Sequence, residues 1–96
     1  MKLAARELFV NEIEFDVLDI ITKVVGLDDG AITKSTSIRD LGVTSMKIVE
    51  MILMIEKKYE IEMPDDATYM IETAGQLIAT VQVLIEANRV ESLAIN

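Results

Sequence analysis

A serine at the start of a strongly periodic segment is the clearest place in this chain for chemistry. The stretch Asp40-Leu-Gly-Val-Thr-Ser45 reads as the end of a loop, and apolar residues then recur at helical spacing as far as Tyr59. Ser45 is therefore expected in the first turn of a helix, where unpaired backbone N–H groups and the positive end of the dipole favour a phosphate. Such a hydroxyl is a candidate attachment point for a phosphoryl-linked group.

A second interpretation is that Ser45 only caps the helix, because serine is among the most favoured N-cap residues. Thr44 comes one position earlier and can accept the N–H bonds of the first turn itself, which would leave Ser45 free. Spacing alone leaves both interpretations open, and plain capping is the more common outcome for so short a pattern.

The composition excludes most other kinds of active or metal site. The 96 residues include no cysteine and no histidine, so they cannot form a disulfide, a thiolate nucleophile, an imidazole base, a Ser-His-Asp triad or a zinc site of the usual ligands. The segment Asp28-Asp29-Gly30 lacks the ligand spacing of a calcium loop. We therefore expect no metal and no catalytic residue, and any modification of Ser45 needs an external catalyst.

The charge balance indicates protein partners. The net charge is −8, from 17 acidic and 9 basic residues, which disfavours nucleic acid and anionic membrane surfaces and favours basic partner proteins. No apolar run approaches the ~18 residues of a membrane span, and the first residues lack the apolar stretch of a secretory signal. We expect a cytoplasmic monomer that binds neither nucleic acid nor membranes.

Hydrophobic periodicity predicts an all-α fold, a small four-helix bundle with three main helices and one short one. Asn11 is expected to cap the first helix and Gly26 to end it, and a Thr73-Ala-Gly-Gln76 capping box is expected to start the last helix. Pro64 is expected to begin the short helix. The predicted helices cover residues 12–25, 45–58, 64–71 and 74–87, with one further turn of helix around residues 37–41.

These helices define the expected domain organisation. Residues 1–11 are predicted to be an N-terminal extension, residues 12–87 the folded domain, and residues 88–96 a frayed C-terminal tail. A long connection over residues 27–43 leads from the first helix to Ser45, and connections of this length are often functional.

The predicted second helix is apolar on two sides, which indicates either deep burial or a surface offered to a partner. One face is expected to join the core, and a second face, about a third of a turn away, is expected to contact partners. The core face has Ile48, Met51, Ile52, Ile55 and Tyr59, and the second face has Met46, Val49 and Leu53 beside Glu50 and Lys57.

Two motifs in register resemble those of the acyl carrier protein family. Asp40-Leu-Gly-Val-Thr-Ser-Met46 is similar to the family's D-L-G-x-D-S-L attachment motif, and Tyr59-Glu-Ile-Glu-Met-Pro-Asp-Asp66 is similar to its F-x-x-x-I-P-D-E/D segment. The distance between the motifs matches without a gap, and Thr73 lies where the family begins its last helix. The resemblance covers residues 12–87.

This resemblance implies a carrier and not an enzyme. A separate phosphopantetheinyl transferase would move phosphopantetheine from coenzyme A to Ser45, and the prosthetic thiol would hold acyl or polyketide-type intermediates as thioesters for fatty acid, lipid or polyketide biosynthesis. The implied partners are acyl-loading and acyl-processing enzymes, such as ligases or ketosynthases, with basic docking patches. The expected partner-binding residues are Met46, Val49, Glu50, Leu53, Glu56, Asp65 and Ile71.

The chain also departs from the family's pattern. Thr44 replaces the usual acidic residue before the serine, and Lys47 and Lys57 occupy positions where acids are common. These departures favour the carrier of a dedicated pathway over the housekeeping fatty-acid carrier. Two alternatives stay open: an aminoacyl or peptidyl carrier, disfavoured by the absence of G-G-x-S glycines, and a helical interaction module of the same fold that is never modified.

Overall fold

The structure is a computed structural model that describes residues 5–28 and 30–95, and it confirms the predicted all-α class. Within these ranges there is no β-strand, and Ser37 and Thr73 form an isolated antiparallel bridge. The elements are α1 (Ala5–Val25), a 3₁₀ turn (Arg39–Leu41), α2 (Ser45–Tyr59), the short α3 (Ala67–Met70) and α4 (Ala74–Ile95).

The core lies between α1, α2 and α4, with α1 in contact with both of the other long helices. Its residues recur at intervals of three and four along each helix, as amphipathic helices require. Among the side chains that the structure describes, the buried set is aliphatic and methionine-containing, with no aromatic ring. Deeply buried members include Ile13, Val17 and Ile21 of α1, Met51 and Ile55 of α2, and Leu77 and Val81 of α4.

The first helix begins earlier than predicted. Its described start is Ala5, so Asn11 lies inside the helix with an exposed side chain, and the prediction of Asn11 as N-cap is wrong. Phe9 lies one turn before Ile13 and packs against the core, which supports the extra helical turns. Residues 1–4 of the predicted N-terminal extension lie outside the described residues. The predicted end is confirmed, since Gly26 follows Val25 at φ +82°, a conformation that favours glycine.

The short helix α3 begins later than predicted. Its N-cap is Asp66, and Pro64 lies in the preceding turn, where its carbonyl oxygen accepts a hydrogen bond from the Ala67 N–H at 3.0 Å. The prediction that Pro64 starts the helix is therefore wrong, because Pro64 accepts the hydrogen bond of a turn that comes before the first helical residue.

The last helix is longer than predicted, but its start is confirmed. The Gln76 N–H donates to Thr73 Oγ1 at 3.2 Å and the Thr73 N–H donates to Gln76 Oε1 at 3.1 Å, which is the reciprocal bonding of a capping box. The backbone stays helical to Ile95, so the predicted end near Ala87 is wrong. No glycine or proline follows Gly75 to stop the helix. Among the described residues, no helix combines the length and hydropathy needed to cross a bilayer.

The long connection before α2 is fastened to the start of α4. The Ile38 N–H donates to the Glu72 carbonyl oxygen at 2.8 Å, and the Gly75 N–H donates to the Lys34 carbonyl oxygen at the same distance. A Cβ at Gly75 would lie 2.9 Å from that Lys34 oxygen, so this close approach requires glycine. Ile32 and Ile38 are buried beneath the connection. Backbone hydrogen bonds and buried side chains thus hold the loop that leads to Ser45 in place.

Candidate functional site

The backbone turns sharply into α2 just before Ser45. Gly42 ends the 3₁₀ turn at φ +70°, and its N–H donates to the Arg39 carbonyl oxygen at 3.2 Å. Thr44 is extended and is the N-cap of α2, because its Oγ1 accepts a hydrogen bond from the Lys47 N–H at 3.2 Å. Thr44, and not Ser45, therefore caps α2.

Ser45 occupies the first helical position with its side chain exposed. Its hydroxyl makes no hydrogen bond to any residue that the structure describes. The N–H groups of Ser45 and Met46 belong to the first turn, which has no intrahelical acceptor for them. An accessible hydroxyl beside two outward N–H groups at a positive helix end fits a phosphodiester in both charge and donor chemistry.

A cavity of about 230 Å³ adjoins this serine. Its walls come from the loop before α2, from α2 itself and from the region of α3. The lining residues are Ile38, Arg39, Val43, Ser45, Ile48, Tyr69 and Ile71. The cavity thus has both aliphatic and polar walls, and it lies directly beside the candidate attachment residue.

A larger groove runs along the outward face of α2, with a volume of about 460 Å³. Met46 is 75% exposed, Leu53 58% and Val49 37%, so this face is apolar and largely open. The structure brings together four of the predicted partner residues here. The groove is lined by Thr44, Met46, Lys47, Val49, Glu50, Leu53, Met54 and Lys57.

The other three predicted partner residues lie elsewhere. Glu56 is half-buried, and its Oε2 accepts a hydrogen bond from the Met63 N–H at 2.8 Å, so this carboxylate holds the chain after α2 in place. Asp65 is exposed in the turn before α3, and half-buried Ile71 lines the cavity beside Ser45. The predicted set is therefore spread over four places and does not form one patch.

Some residues that line these two sites were missed by sequence reasoning. Met54 lies one turn after Glu50 and is 39% exposed, so the same helical spacing that identified Leu53 could have included it. Arg39 and Tyr69 reach the cavity from the 3₁₀ turn and from α3. No periodic signal relates these two residues to Ser45, because only the tertiary fold brings them there.

The far end of α2 is tied to α1 by a tyrosine. Tyr59 Oη donates to Asp16 Oδ2 at 2.9 Å, and Lys58 Nζ lies 3.9 Å from the same carboxylate oxygen. Partial burial, followed by the hydrogen bond to Asp16 and that residue's negative charge, raises the pKa of Tyr59 well above its usual value. This contact holds the helix that carries the site.

Comparison with known proteins agrees with this geometry. Residues 16–81 match the family model described as "Phosphopantetheine attachment site". The chain is similar to the meromycolate extension acyl carrier proteins of Mycobacterium bovis and Mycobacterium tuberculosis, being 33% identical to each over 79 residues. These matches cover 81% of this chain and 69% of each relative.

The matched family model takes in the loop, the first turn of α2 and the capping box of α4, which are the elements that present Ser45 and the adjoining cavity. The chain therefore belongs to the acyl carrier protein family and is a carrier with covalently attached phosphopantetheine.

Proposed function

We propose that Ser45 is the residue to which phosphopantetheine is attached. The observation that supports this most is that Thr44 Oγ1, and not Ser45, caps α2. The exposed Ser45 hydroxyl makes no hydrogen bond to any of the described residues. An acceptor atom for an external enzyme must be reachable and must not be needed for folding, and Ser45 meets both conditions.

Loading is a phosphoryl transfer from coenzyme A. Ser45 Oγ forms a new P–O bond while the pyrophosphate P–O bond of coenzyme A breaks, and the adenosine bisphosphate part of coenzyme A leaves. The hydroxyl proton passes to a base on the transferase, because no carboxylate or other base among the described residues makes a hydrogen bond to the Ser45 hydroxyl. We propose that the chain has no catalytic activity of its own.

When attached, the group supplies a terminal thiol that binds an acyl chain as a thioester. The chain's own residues then have two tasks. The first turn of α2 places its N–H groups and positive dipole end at the phosphate. The core contains methionine and aliphatic side chains without an aromatic ring among those described, so its walls can repack around an apolar chain.

We further propose that partner enzymes dock on the outward groove of α2. Its exposed apolar side chains provide a surface to bury, and Met46 and Met54 can adapt to more than one partner shape. Between Asp40 and Glu72 the chain has eight acidic and three basic residues, so a phosphopantetheinyl transferase or an acyl-processing enzyme with a basic patch is attracted to this region.

The pathway is proposed from the relatives and from the departures noted in the sequence. The similar mycobacterial proteins are named for meromycolate extension, and a name this specific supports a carrier for a dedicated pathway. Lys47 and Lys57 line the groove where the family commonly has acids, and this altered charge pattern favours dedicated partner enzymes. We propose a cytoplasmic, monomeric acyl carrier whose carrier domain covers residues 12–87.

The test is loading in vitro. The unmodified protein is incubated with coenzyme A and a broad-specificity phosphopantetheinyl transferase, and its intact mass is measured. Wild type is expected to gain one phosphopantetheine group and Ser45→Ala none. Ser35→Ala is the matched control, because Ser35 is also an exposed serine near the loop, and it is expected to load like wild type.

Two results would contradict the assignment: no mass gain on wild type, or an equal gain on Ser45→Ala. A second measurement identifies the cargo. The intact mass of the protein purified from its native host, with the thioester preserved, is expected to show an acyl group, and an aminoacyl group would instead support a peptidyl carrier.

A further inference from the structure

The cavity beside Ser45 contains a single charged lining residue, Arg39. Its other walls are aliphatic or come from the Ser45 and Tyr69 side chains. The chain as a whole is strongly acidic, at a net charge of −8, yet no carboxylate lines this cavity. A positively charged residue therefore lines the same cavity as the candidate attachment residue, and no acidic residue lines it.

Arg39 also differs from most of the cations that the structure describes. Lys23, Lys34, Lys47 and Lys58 each lie within 4 Å of a carboxylate oxygen. Arg39 is exposed and makes no ion pair with any side chain that the structure describes. Its guanidinium is free to bind an anion that is not part of the polypeptide.

The local backbone explains how Arg39 reaches the site. Arg39 begins the 3₁₀ turn, and the left-handed Gly42 that follows reverses the chain before α2 starts. The buried Ile38 side chain and the 2.8 Å bond from its N–H to the Glu72 carbonyl oxygen fix the residue immediately before Arg39. Arg39 and Ser45 thus line the same cavity because burial of Ile38 and its backbone hydrogen bond hold the turn between them in place.

We propose that the Arg39 guanidinium binds the phosphodiester of the phosphopantetheine on Ser45, together with the N–H groups of Ser45 and Met46. This inference rests on the proposed function, since it needs the phosphate on Ser45. Guanidinium presents several N–H donors in one plane and matches phosphate oxygens in pairs. The contact anchors the start of the prosthetic arm at the cavity lined by Tyr69 and Ile71. No covalent bond forms or breaks in this contact.

The experiment compares each protein before and after loading, so that effects on folding alone cancel. Wild type, Arg39→Gln, Arg39→Lys and Lys57→Gln are loaded by a transferase, and loading is verified by intact mass. Thermal unfolding is then recorded for unmodified and loaded forms. Lys57→Gln is the matched control: it removes one positive charge from α2, about 18 Å along the helix from Ser45.

The measured quantity is the change in Tm that loading causes. At low salt this change is expected to be about 1–8 °C more favourable in wild type than in Arg39→Gln, the range that an exposed ion pair produces in a domain of this size. Lys57→Gln is expected to match wild type, and Arg39→Lys to keep part of the effect. At about 1 M salt the difference is expected to disappear, because exposed charges are then screened.

A second readout follows the phosphate directly by ³¹P NMR of the loaded proteins. The phosphodiester resonance of wild type is expected to shift as salt is raised, and that of Arg39→Gln to remain nearly constant. The inference is overturned if Arg39→Gln and wild type respond alike in both measurements, or if Lys57→Gln loses as much as Arg39→Gln. Failure of wild type to load would instead overturn the proposed function, and this inference with it.

Discussion

The two faces of α2 differ in exposure although they belong to the same helix. Ile55 is fully buried and Met51 is 1% exposed, whereas Leu53 between them is 58% exposed and Met46 75%. All four residues are apolar, so hydrophobicity alone does not separate them. The inner face packs against α1 and belongs to the same buried cluster as residues of α4, whereas the outer face borders an open groove with no other element of the described chain over it.

This difference distinguishes the side chains that stabilise the fold from those available to contact a partner. Burial of an aliphatic side chain contributes to the free energy of folding in proportion to the area removed from water. The outer apolar residues remain exposed in the free protein, so they contribute little to the free energy of folding. They would contribute to the free energy of binding if a partner covered them. The helix thus stabilises the domain with one side and presents the modified serine and the groove on the other.

The largest expected effect tests this comparison directly. Ile55→Ala removes a fully buried side chain and leaves a cavity, so the free energy of unfolding is expected to fall by about 2–5 kcal/mol. Leu53→Ala removes a mostly exposed side chain of the same size, and its cost to folding is expected to stay below about 1 kcal/mol. Urea unfolding followed by circular dichroism measures both values.

The same pair of variants is then compared in a partner assay. Leu53→Ala is expected to lower the rate at which a native acyl-processing enzyme turns over the loaded protein. Ile55→Ala, measured at a temperature where it is folded, is expected to lower it less. Equal losses of stability in the two variants, or no loss of turnover in Leu53→Ala, would remove the proposed distinction between the faces.

Much of α2 could be predicted because its signals are local. The N-cap at Thr44 and the spacing of apolar residues as far as Tyr59 define both ends of the helix and both of its faces. The start of α1 was missed because Asn11 is a good cap in isolation, whereas packing of Phe9 on the core favours a continuous helix. Tertiary contact overrode the capping preference there.

The parts of the candidate site that lie on α2 could also be predicted from the sequence, and the parts that other elements contribute could not. The two motifs in register point to Ser45, and the apolar spacing of one helix points to the groove, so both are indicated by the sequence alone. The cavity beside Ser45 joins Arg39, Ser45 and Tyr69 from three separate elements, so no local pattern reveals it. Glu56 has a structural contact that its helical position does not predict, since its carboxylate accepts a hydrogen bond from the Met63 N–H.

The next effect, of about 1 kcal/mol, sharpens the comparison at the start of the helix. Thr44→Ala removes the oxygen that accepts the Lys47 N–H, so the free energy of unfolding is expected to fall by about 1 kcal/mol. Ser45→Ala removes a hydroxyl with no partner among the described residues, and its effect is expected to lie within about 0.5 kcal/mol of zero. Chemical denaturation of the unmodified proteins measures both.

The contrast between these neighbours also predicts their loading. Thr44→Ala is expected to load, at a reduced rate if the first turn of α2 frays, and Ser45→Ala is expected not to load at all. A larger loss of stability in Ser45→Ala than in Thr44→Ala would mean that the serine has a structural role, contrary to its assignment as the free hydroxyl.

The smallest expected effect lies at the end of the inner face, where Tyr59 bonds Asp16 of α1. Tyr59→Phe keeps the ring and loses the 2.9 Å hydrogen bond, so the free energy of unfolding at neutral pH is expected to fall by about 0.5 kcal/mol. The cost is small because the site is only half-buried and Lys58 remains near the Asp16 carboxylate, at 3.9 Å.

The pH dependence gives this prediction its sign. Burial and the bond to Asp16 raise the pKa of Tyr59 in the folded protein, so the neutral phenol is favoured there. This contribution is fully present below the unfolded pKa of about 10 and is lost as the pH rises through the higher folded pKa, because the unfolded chain releases its proton first. Wild type should therefore lose more stability than Tyr59→Phe between pH 9 and 11, as measured by denaturation at each pH.

Tyr69→Phe is the control for this experiment, because Tyr59 is then the only tyrosine of the chain and its absorbance change reports its own ionisation. Tyr69 is 80% exposed, so its replacement is expected to leave the stability of the domain nearly unchanged. If Tyr59 in this variant ionises near pH 10, the bond to Asp16 does not hold the inner face in solution. If it ionises well above that pH, the tie between α1 and the end of α2 is present, and the two faces of α2 differ along the whole length of the helix.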